Sequence, residues 1–325
     1  MGRRRHRLGF RPRGRDRGVV GEGEAAARAR GGRRPGARSG LTLLAVAVGG
    51  RGVVPPDEPV LHADDEALLR GRAAFETIRV YAGRPFRFEE HLARLAGSAE
   101  RIGLPPVNRE TFESLAAAAL AETDETEGVL RLYWTPGREG AEQASALALV
   151  STLPPGLEEL RQRGIGLVAL PLGLEADLRA VAPWLLGGVK STSYAVNMAA
   201  EREARERGAD DAVFLASGAI VLEGPVTNIW WRREQVLYTP ALELGILAGV
   251  TRATLVEQAA RIGYDVREGA FPVEHLAAAE EAFTSSSVRE VMPAVALDGR
   301  PVGEGAPGRT AQELQAALRA AAGVP

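Results

Sequence analysis

The chain has 325 residues, 45% of them hydrophobic and 25% charged, a composition that supports two domains with hydrophobic cores and excludes general disorder. It contains no cysteine, which excludes disulfides, zinc–thiolate sites and thiol catalysis. Its net charge of −2 conceals two unlike parts, because 13 arginines against three acidic residues give residues 1–40 a charge of about +10 and leave about −12 for residues 41–325.

Residues 1–40 form an Arg- and Gly-rich segment with almost no apolar periodicity, and we predict a disordered extension because so little surface could be buried. A nucleic-acid or membrane-surface tail, a twin-arginine export signal with LTLLAVAV as its apolar region, and a translation start placed too far upstream are the alternatives. The acidic charge of residues 41–325 argues against a continuous basic surface, so we expect no nucleic-acid partner. No apolar run approaches membrane-spanning length and the four histidines are scattered, so we expect a cytoplasmic protein with no membrane partner and no bound metal.

The body of the chain predicts an α/β fold in two domains, the first over residues 41–153. LTLLAVAV predicts a strand ended by Gly49-Gly50, and AFETIRVYAGRPF predicts two strands around a turn at Ala82-Gly83. The segment FEEHLARLAGSAERIGL has apolar residues at helical spacing and stops at a glycine, which predicts a helix that packs on the sheet. GVLRLYWT and SALALVST predict two further strands.

A linker is predicted over residues 154–159, where two prolines and a glycine follow a strand. The second domain, residues 160–325, begins with the strand GIGLVALPL. The segments that follow predict the helix NMAAEREARERG, a strand pair made of DAVFLAS and VLEGPVTNIWW, the strand QVLYTP and the helix VTRATLVEQAARIG, before a mixed tail. The chain has no Gly-rich loop of the dinucleotide or Walker type.

Lys190, in GGVKSTSYAVN, is the only lysine among the 40 basic residues. Arginine serves surface solvation and anion binding at least as well, but its guanidinium cannot lose a proton and attack a carbonyl. A lysine amine can, and forms a Schiff base with a substrate or with pyridoxal phosphate once burial or neighbouring charges lower its pKa. A single surface lysine left by codon bias is the alternative interpretation.

Four segments, in order, resemble the class IV aminotransferases, the fold-type IV pyridoxal phosphate enzymes that include branched-chain aminotransferases, D-amino acid aminotransferases and aminodeoxychorismate lyases. They are RAAFETIRVYAGRPFRFEEHLARL, GVKSTSYAVNMAAEREARERGADDAVFL, VLEGPVTNIWWRREQVLYTPALELGILAGVTRATL and AEEAFTSSSVREVMPAVALDGRPVG, and they cover most of residues 41–310. The resemblance implies a two-domain fold of the D-amino acid aminotransferase type, pyridoxal 5′-phosphate as cofactor, and a homodimer in which each pocket is built from two subunits.

The resemblance implies that Lys190 holds the cofactor as a Schiff base and moves a proton between the substrate Cα and the cofactor. Glu223, in VLEGPVTN, matches the family acid that faces the pyridine nitrogen and keeps it protonated, which makes the ring a better electron sink. Tyr194 is implied as a partner for the 3′-oxygen of the cofactor. Taken alone, a glutamate before Gly-Pro is typical of a solvated turn, and a tyrosine is typical of a half-buried packing residue.

The cofactor's phosphate needs cations and backbone donors. Val250 and Thr251, in GILAGVTRATL, lie where a loop opens a helix, so N–H groups and the positive end of the helix dipole point at an anion, with the Thr251 hydroxyl as a further donor. By resemblance, Arg94 on the helix EEHLARL and Ser287 in TSSSVRE are further phosphate ligands. An ordinary threonine at a helix start and a solvated helical arginine are the alternatives.

Arg79 in FETIRVY and Arg131 in VLRLYWTPG align with positions that shape the family's substrate pocket, and an arginine can hold a carboxylate through two hydrogen bonds. Two departures place the chain between subfamilies. Val129 stands where branched-chain enzymes commonly have a tyrosine, and the same strand ends in TPG rather than in the TRG of D-amino acid and lyase members.

The resemblance therefore implies an aminotransferase that moves an amino group between an amino acid and a 2-oxo acid through a Lys190 Schiff base, with a branched-chain-like L-amino acid favoured. An aminodeoxychorismate lyase that releases pyruvate and 4-aminobenzoate for folate synthesis is the alternative. Two hypotheses from other classes are a nucleic-acid-binding protein that uses the Arg-rich end and a non-catalytic relative with a dead pocket. The latter predicts no cofactor, although Lys190, Glu223 and Thr251 are all present.

Overall fold

The structure, a computed structural model, describes residues 40–140 and 144–324. Apart from Gly40, the extension predicted over residues 1–40 lies outside the described residues and stays a prediction. The strands are β1 (Leu43–Val48), β2 (Gly52–Val54), β3 (Ala74–Tyr81), β4 (Arg84–Pro85), β5 (Gly128–Thr135), β6 (Ser145–Ser151), β7 (Ile165–Pro171), β8 (Asp211–Leu215), β9 (Asn228–Arg233), β10 (Val236–Pro240), β11 (Asp265–Gly269), β12 (Glu281–Ser286), β13 (Glu290–Leu297) and β14 (Arg300–Pro301). The helices are α1 (Glu66–Arg70), α2 (Phe88–Arg101), α3 (Arg109–Ala121), α4 (Leu157–Arg163), α5 (Leu178–Val181), α6 (Ala195–Glu206), α7 (Val250–Arg261), α8 (Val273–Ala277) and α9 (Arg309–Ala321).

The first sheet has the strand order β2-β1-β6-β5-β3-β4 and is antiparallel throughout. Helices α2 and α3 cover one face of it. Leu92, Leu95 and Ala99 recur at helical spacing along α2 and are buried against the sheet. The hairpin of β3 and β4 turns at Ala82 and Gly83, which both have positive φ, as a two-residue hairpin turn of this hand requires.

The second sheet is mixed, with the order β11-β10-β9-β12-β13-β7-β8 and β14 paired to β13. Strands β7 and β8 run parallel and are joined by a crossover that contains α5, the lysine segment and α6. Helices α7 and α9 cover the face formed by Trp230 and Phe283, both fully buried. The lysine segment therefore lies outside the second sheet, and it contacts the first sheet through the bridge between Ser191 and Ala74.

Two sequence predictions need correction. Helix α4 begins at Leu157, inside the segment predicted as a linker, because Gly156 takes a left-handed conformation and lets the helix start at once. VLEGPVTNIWW is not one strand: Val221 makes an isolated bridge to Leu215, and β9 begins only at Asn228. The Gly-Pro pair explains the break, since proline cannot donate to a ladder.

The mixed α/β character is confirmed. The boundary between two domains at residues 154–159 remains our proposal; it is supported by the fact that each sheet is built from strands on one side of these residues in sequence. Within the described ranges, none of the helices has both the length and the apolar character needed to cross a membrane.

Candidate active site

A cavity of about 950 Å³ lies beside the lysine segment and brings together residues from both sheets. Its size is within the range of small-molecule and cofactor pockets. Of the residues singled out from the sequence, the cavity wall contains Arg94, Arg131, Lys190, Tyr194, Glu223, Val250, Thr251 and Ser287. Long-range packing has thus collected side chains that lie up to two hundred positions apart in the chain.

Backbone hydrogen bonds hold Lys190 in place from two elements. The Lys190 N–H donates to Oγ of Ser98 on α2 at 3.1 Å, and the Phe75 N–H on β3 donates to the Lys190 carbonyl at 3.1 Å. The next residue, Ser191, bridges to Ala74. The lysine segment therefore continues the edge of the first sheet, and its side chain enters the cavity from a rigid backbone.

The Lys190 amine lies in an aromatic environment. Its Nζ donates to Oη of Tyr194 at 3.2 Å and lies 4.2 Å from the centre of the Phe75 ring. Burial lowers the pKa of Lys190 from 10.5 to about 8; Glu76 and Glu223 oppose this shift, and Arg94 adds to it. The surface-lysine interpretation is wrong, because only 9% of this residue is exposed.

Glu223 lies in the irregular segment between β8 and β9 rather than at the end of a strand. The Phe214 N–H donates to the Glu223 carbonyl at 2.8 Å, and a Cβ on Gly224 would collide with the Thr227 side chain, so only glycine fits the tight turn that follows. Its Oε2 accepts from the Leu247 N–H at 2.8 Å and its Oε1 pairs with Arg179 at 3.0 Å. Burial raises the pKa of Glu223, and Arg179 and the Leu247 N–H oppose that shift.

Helix α7 starts at the cavity wall. Its first backbone N–H groups have no acceptor within the helix, and no side chain caps them at Gly249. Asn228 donates to the Leu247 carbonyl at 3.0 Å and fixes the turn, while a Cβ on Gly249 would collide with the same asparagine. Val250 and Thr251 therefore lie at a helix start on the cavity wall, a place suited to an anion. Their assignment to the phosphate stays a prediction.

Arg94 reaches this turn from α2. Its Nη1 donates to the Ala248 carbonyl at 2.8 Å, two residues before the start of α7. Its Nε and Nη2 donate to the two carboxylate oxygens of Glu76, at 2.8 and 2.7 Å. The structure thus places Arg94 at the helix start, but it also gives the guanidinium an acidic partner that sequence reasoning missed.

The two arginines assigned to the substrate pocket have different positions. Arg131 lines the cavity, and its Nη1 donates to Oγ of Ser151 at 3.2 Å. Arg79 lies on β3, two residues beyond Thr77, which pairs with Arg131, and is therefore on the same face of the sheet. It is not among the cavity-lining residues. It pairs with Glu127 at 2.7 Å, a contact that does not support its assignment to the substrate pocket; that assignment stays a prediction. The two arginines lie on neighbouring strands, and they differ in their position along those strands.

Sequence reasoning also missed Arg179 and Phe75. Arg179 lies on the short helix α5 in a stretch without a pattern, so no local signal marks it. Glu76 did leave a signal, because an acid in the apolar strand AFETIRVY must be either exposed or paired. In the described part of the chain, no cluster of three or more histidine and acidic side chains has the arrangement of a metal site.

The family model for amino-transferase class IV matches residues 73–297. A bifunctional aminodeoxychorismate lyase / D-amino acid transaminase of Mycobacterium tuberculosis is 36% identical over 259 residues, which cover 76% of this chain and 89% of that relative. A hypothetical aminotransferase from Mycobacterium tuberculosis, solved with PLP and with α-ketoglutarate and PMP, superposes with TM-scores of 0.80 and 0.79 at 34% identity, over 85% of this chain and 98% of that chain. A fold IV transaminase from Curtobacterium pusillum superposes with a TM-score of 0.77 at 35% identity, over 82% and 92% of the two chains.

Proposed function

The chain belongs to the amino-transferase class IV family, whose members are pyridoxal-phosphate-dependent enzymes, and we propose that it moves an amino group between an amino acid and a 2-oxo acid with Lys190 as the residue that holds the cofactor. The observation that carries this proposal is the buried Lys190 amine, hydrogen-bonded to Tyr194, in one cavity with Glu223 and the start of α7.

The cavity fits pyridoxal phosphate group by group. We assign Lys190 to the aldehyde, Glu223 to the ring nitrogen and Tyr194 to the ring oxygen; the phosphate is assigned to Arg94, Val250, Thr251 and Ser287. Two buried polar atoms of the cavity wall, Nη1 of Arg179 and Oγ1 of Thr227, have no hydrogen-bond partner among the described residues, as expected of a wall built for a polar ligand.

When bound, the cofactor supplies an aldehyde that condenses with amines and a ring that withdraws electrons. The chain's own residues supply the acid–base chemistry. Nζ of Lys190, neutral above its lowered pKa, would take the proton from the substrate Cα and return it to the carbon supplied by the cofactor's aldehyde. Tyr194 orients that amine through its hydroxyl, and the Glu223 carboxylate, held by Arg179, keeps a proton on the ring nitrogen.

The position of Arg131 favours a substrate that carries an acidic group. Each of the other arginines on the cavity wall has a carboxylate partner: Arg94 pairs with Glu76, Arg179 with Glu223 and Arg289 with Asp211. Within the described ranges, the side chain of Arg131 makes one hydrogen bond, to the Ser151 hydroxyl, and no salt bridge, so its guanidinium is available for a carboxylate. We assign it to the substrate carboxylate.

The substrate side chain has two candidates. Leu172, Leu174 and Leu186 on the cavity wall support the branched-chain-like L-amino acid that the sequence favours. The relative at 36% identity, whose activities are aminodeoxychorismate lyase and D-amino acid transaminase, supports the lyase alternative, and it adds a D-amino acid as donor. Both reactions use the same lysine.

Half-reaction spectra test these proposals. The protein loaded with pyridoxal phosphate is mixed separately with L-leucine and D-alanine, without an oxo acid. Loss of the visible band and growth of the pyridoxamine phosphate band identify the donor that reacts. Release of 4-aminobenzoate from aminodeoxychorismate identifies the lyase. A Lys190→Ala variant that retains any of these activities within a few fold would refute the proposed function.

We also propose a homodimer. Two exposed apolar side chains line the cavity, with exposed fractions of 78% for Trp184 and 61% for Val196. Val181, three residues before Trp184 in the chain, is 68% exposed. Exposed apolar patches of this kind are typical of protein–protein interfaces. A second copy of the chain would cover them and complete the cavity wall. A cytoplasmic location remains a proposal that rests on composition.

A further inference from the structure

A completely buried carboxylate lies behind the cavity wall. Glu76, on β3, is 0% exposed, and both of its oxygens are engaged. One accepts from Nε of Arg94 at 2.8 Å; the other accepts from Nη2 of Arg94 at 2.7 Å and lies 2.7 Å from Nδ1 of His91. His91 and Arg94 are three residues apart and therefore lie on one face of α2. The carboxylate is sealed between β3 and this helix.

The pairing has an energetic reason. A buried carboxylate is costly unless it is paired and hydrogen-bonded. Burial alone would raise the pKa of Glu76, but Arg94 and His91 outweigh burial and lower it to about 2. The carboxylate is therefore ionised at neutral pH, and its ion pair with Arg94 is present there. A bidentate arginine–carboxylate pair also fixes the plane of the guanidinium, because two parallel hydrogen bonds define its orientation.

The free edge of that guanidinium faces the start of α7. A guanidinium has five N–H donors; Glu76 takes one from Nε and one from Nη2, and the Ala248 carbonyl takes one from Nη1. One N–H of Nη1 remains next to the turn that leads into Val250, while Nη2 also lies 3.4 Å from Nδ1 of His91. Glu76, Arg94 and Ala248 thus form a continuous contact from β3 to the anion-binding end of α7.

We propose that Glu76 is a positioning residue, which holds Arg94 and, through it, the turn from Ala248 to Val250 in the geometry that receives the cofactor's phosphate. The inference rests on the proposed cofactor site. Glu76 itself does not line the cavity. Its loss should therefore weaken ligands that carry the phosphate more than ligands that offer only the aldehyde and ring, whereas the influence of the Glu76 charge on the pKa of Lys190 acts on both kinds of ligand alike.

The test compares pyridoxal phosphate with pyridoxal, which lacks the phosphate, on the full-length protein after removal of cofactor. Absorbance titrations give both dissociation constants for wild type and for Glu76→Gln, which keeps the shape of the side chain but removes its charge. We expect the affinity for pyridoxal phosphate to fall about 10- to 100-fold, the effect of one or two charge-assisted hydrogen bonds, and the affinity for pyridoxal to change by less than about threefold.

Glu290→Gln is the matched control. Glu290 is 1% exposed and also binds two arginines, Arg161 and Arg319. It is not itself a cavity-lining residue, although it directly follows Arg289, which is one. Its loss should lower stability without changing the ratio of the two dissociation constants. Should Glu76→Gln fail to fold, Glu76→Asp, which keeps the charge and shortens the reach, is judged by the same ratio.

The outcomes are separable. The relevant ratio is the dissociation constant of pyridoxal divided by that of pyridoxal phosphate. A ratio that falls in the Glu76 variant and stays constant in Glu290→Gln supports the positioning role. An unchanged ratio at Glu76, whether both affinities persist or both fall together, overturns it and leaves the proposed function intact. A wild-type protein that forms no visible band with either ligand overturns the cofactor site, and with it this inference.

Discussion

The lowered pKa of Lys190 makes a quantitative prediction about cofactor capture. Burial moves the pKa of this amine from 10.5 to about 8, a difference that corresponds to about 3 kcal/mol against the protonated form. At pH 7 about one amine in ten is neutral, against about one in 3,000 for an ordinary lysine. Since only the neutral amine attacks an aldehyde, Lys190 should react roughly 300-fold faster at pH 7 than it would with an ordinary pKa.

The sign of the pH dependence follows from the same cause. Burial disfavours the charged form, so the reactive form is present above pH 8 and is lost as the pH falls. We expect the rate of cofactor capture to fall about tenfold per pH unit below 8 and to be level above it.

Stopped-flow absorbance measures this rate when pyridoxal is mixed with cofactor-free protein between pH 6 and 10. Pyridoxal is preferred because it carries no phosphate whose own ionisation would distort the profile. The variant Lys190→Ala should show no band at any pH. A wild-type rate that keeps rising tenfold per unit through pH 9 and 10 would show that the amine is not desolvated and would refute the reasoning.

Three further predictions concern the remaining groups. Glu223→Gln should retain the cofactor but lower the rate of the half-reaction on the order of 100-fold, because the neutral amide cannot hold a proton on the ring; a single-turnover rate within threefold of wild type would contradict this role. Arg131→Gln should raise KM for the preferred amino acid about 10- to 100-fold and leave a primary amine without a carboxylate unaffected; equal losses for both donors would show that Arg131 does not bind the carboxylate. Trp184→Ser should weaken self-association in light-scattering measurements at micromolar concentration, and a mass distribution identical to that of wild type would exclude Trp184 from an interface.

Much of the local structure could be predicted from residues a few positions apart. The hairpin of β3 and β4 follows from alternating apolar residues around Ala82 and Gly83. The starts of α2 and α7 follow from helical spacing after a turn. Helices α3 and α9 were not predicted. Helix α3 is rich in alanine and has a weak amphipathic signal, so its burial against the first sheet decides it. Helix α9 does carry an apolar stripe at helical spacing, made by Ala311, Leu314 and Leu318, and the sequence interpretation overlooked it.

The irregular segment around Glu223 shows where local reasoning fails. Apolar residues on both sides of this acid predict one long strand, yet the chain leaves the sheet at Val221 and returns at Asn228. A Gly-Pro pair and a buried acid are compatible with a strand end or a turn. Contacts with Arg179 and Leu247, both distant in sequence, select the observed conformation.

The sequence by itself determined which chemistry the chain can perform. A single lysine among 40 basic residues, an acid in VLEGPVTN and a helix start at GVTRAT are properties of residue type and short spacing. Only the tertiary structure decided which charges meet. Arg131 and Arg79 belong to similar strand patterns, but one faces the cavity and the other binds Glu127. The physical reason is that ion pairs join residues far apart in the chain, so the partner that neutralises each charge depends on packing that no short segment contains.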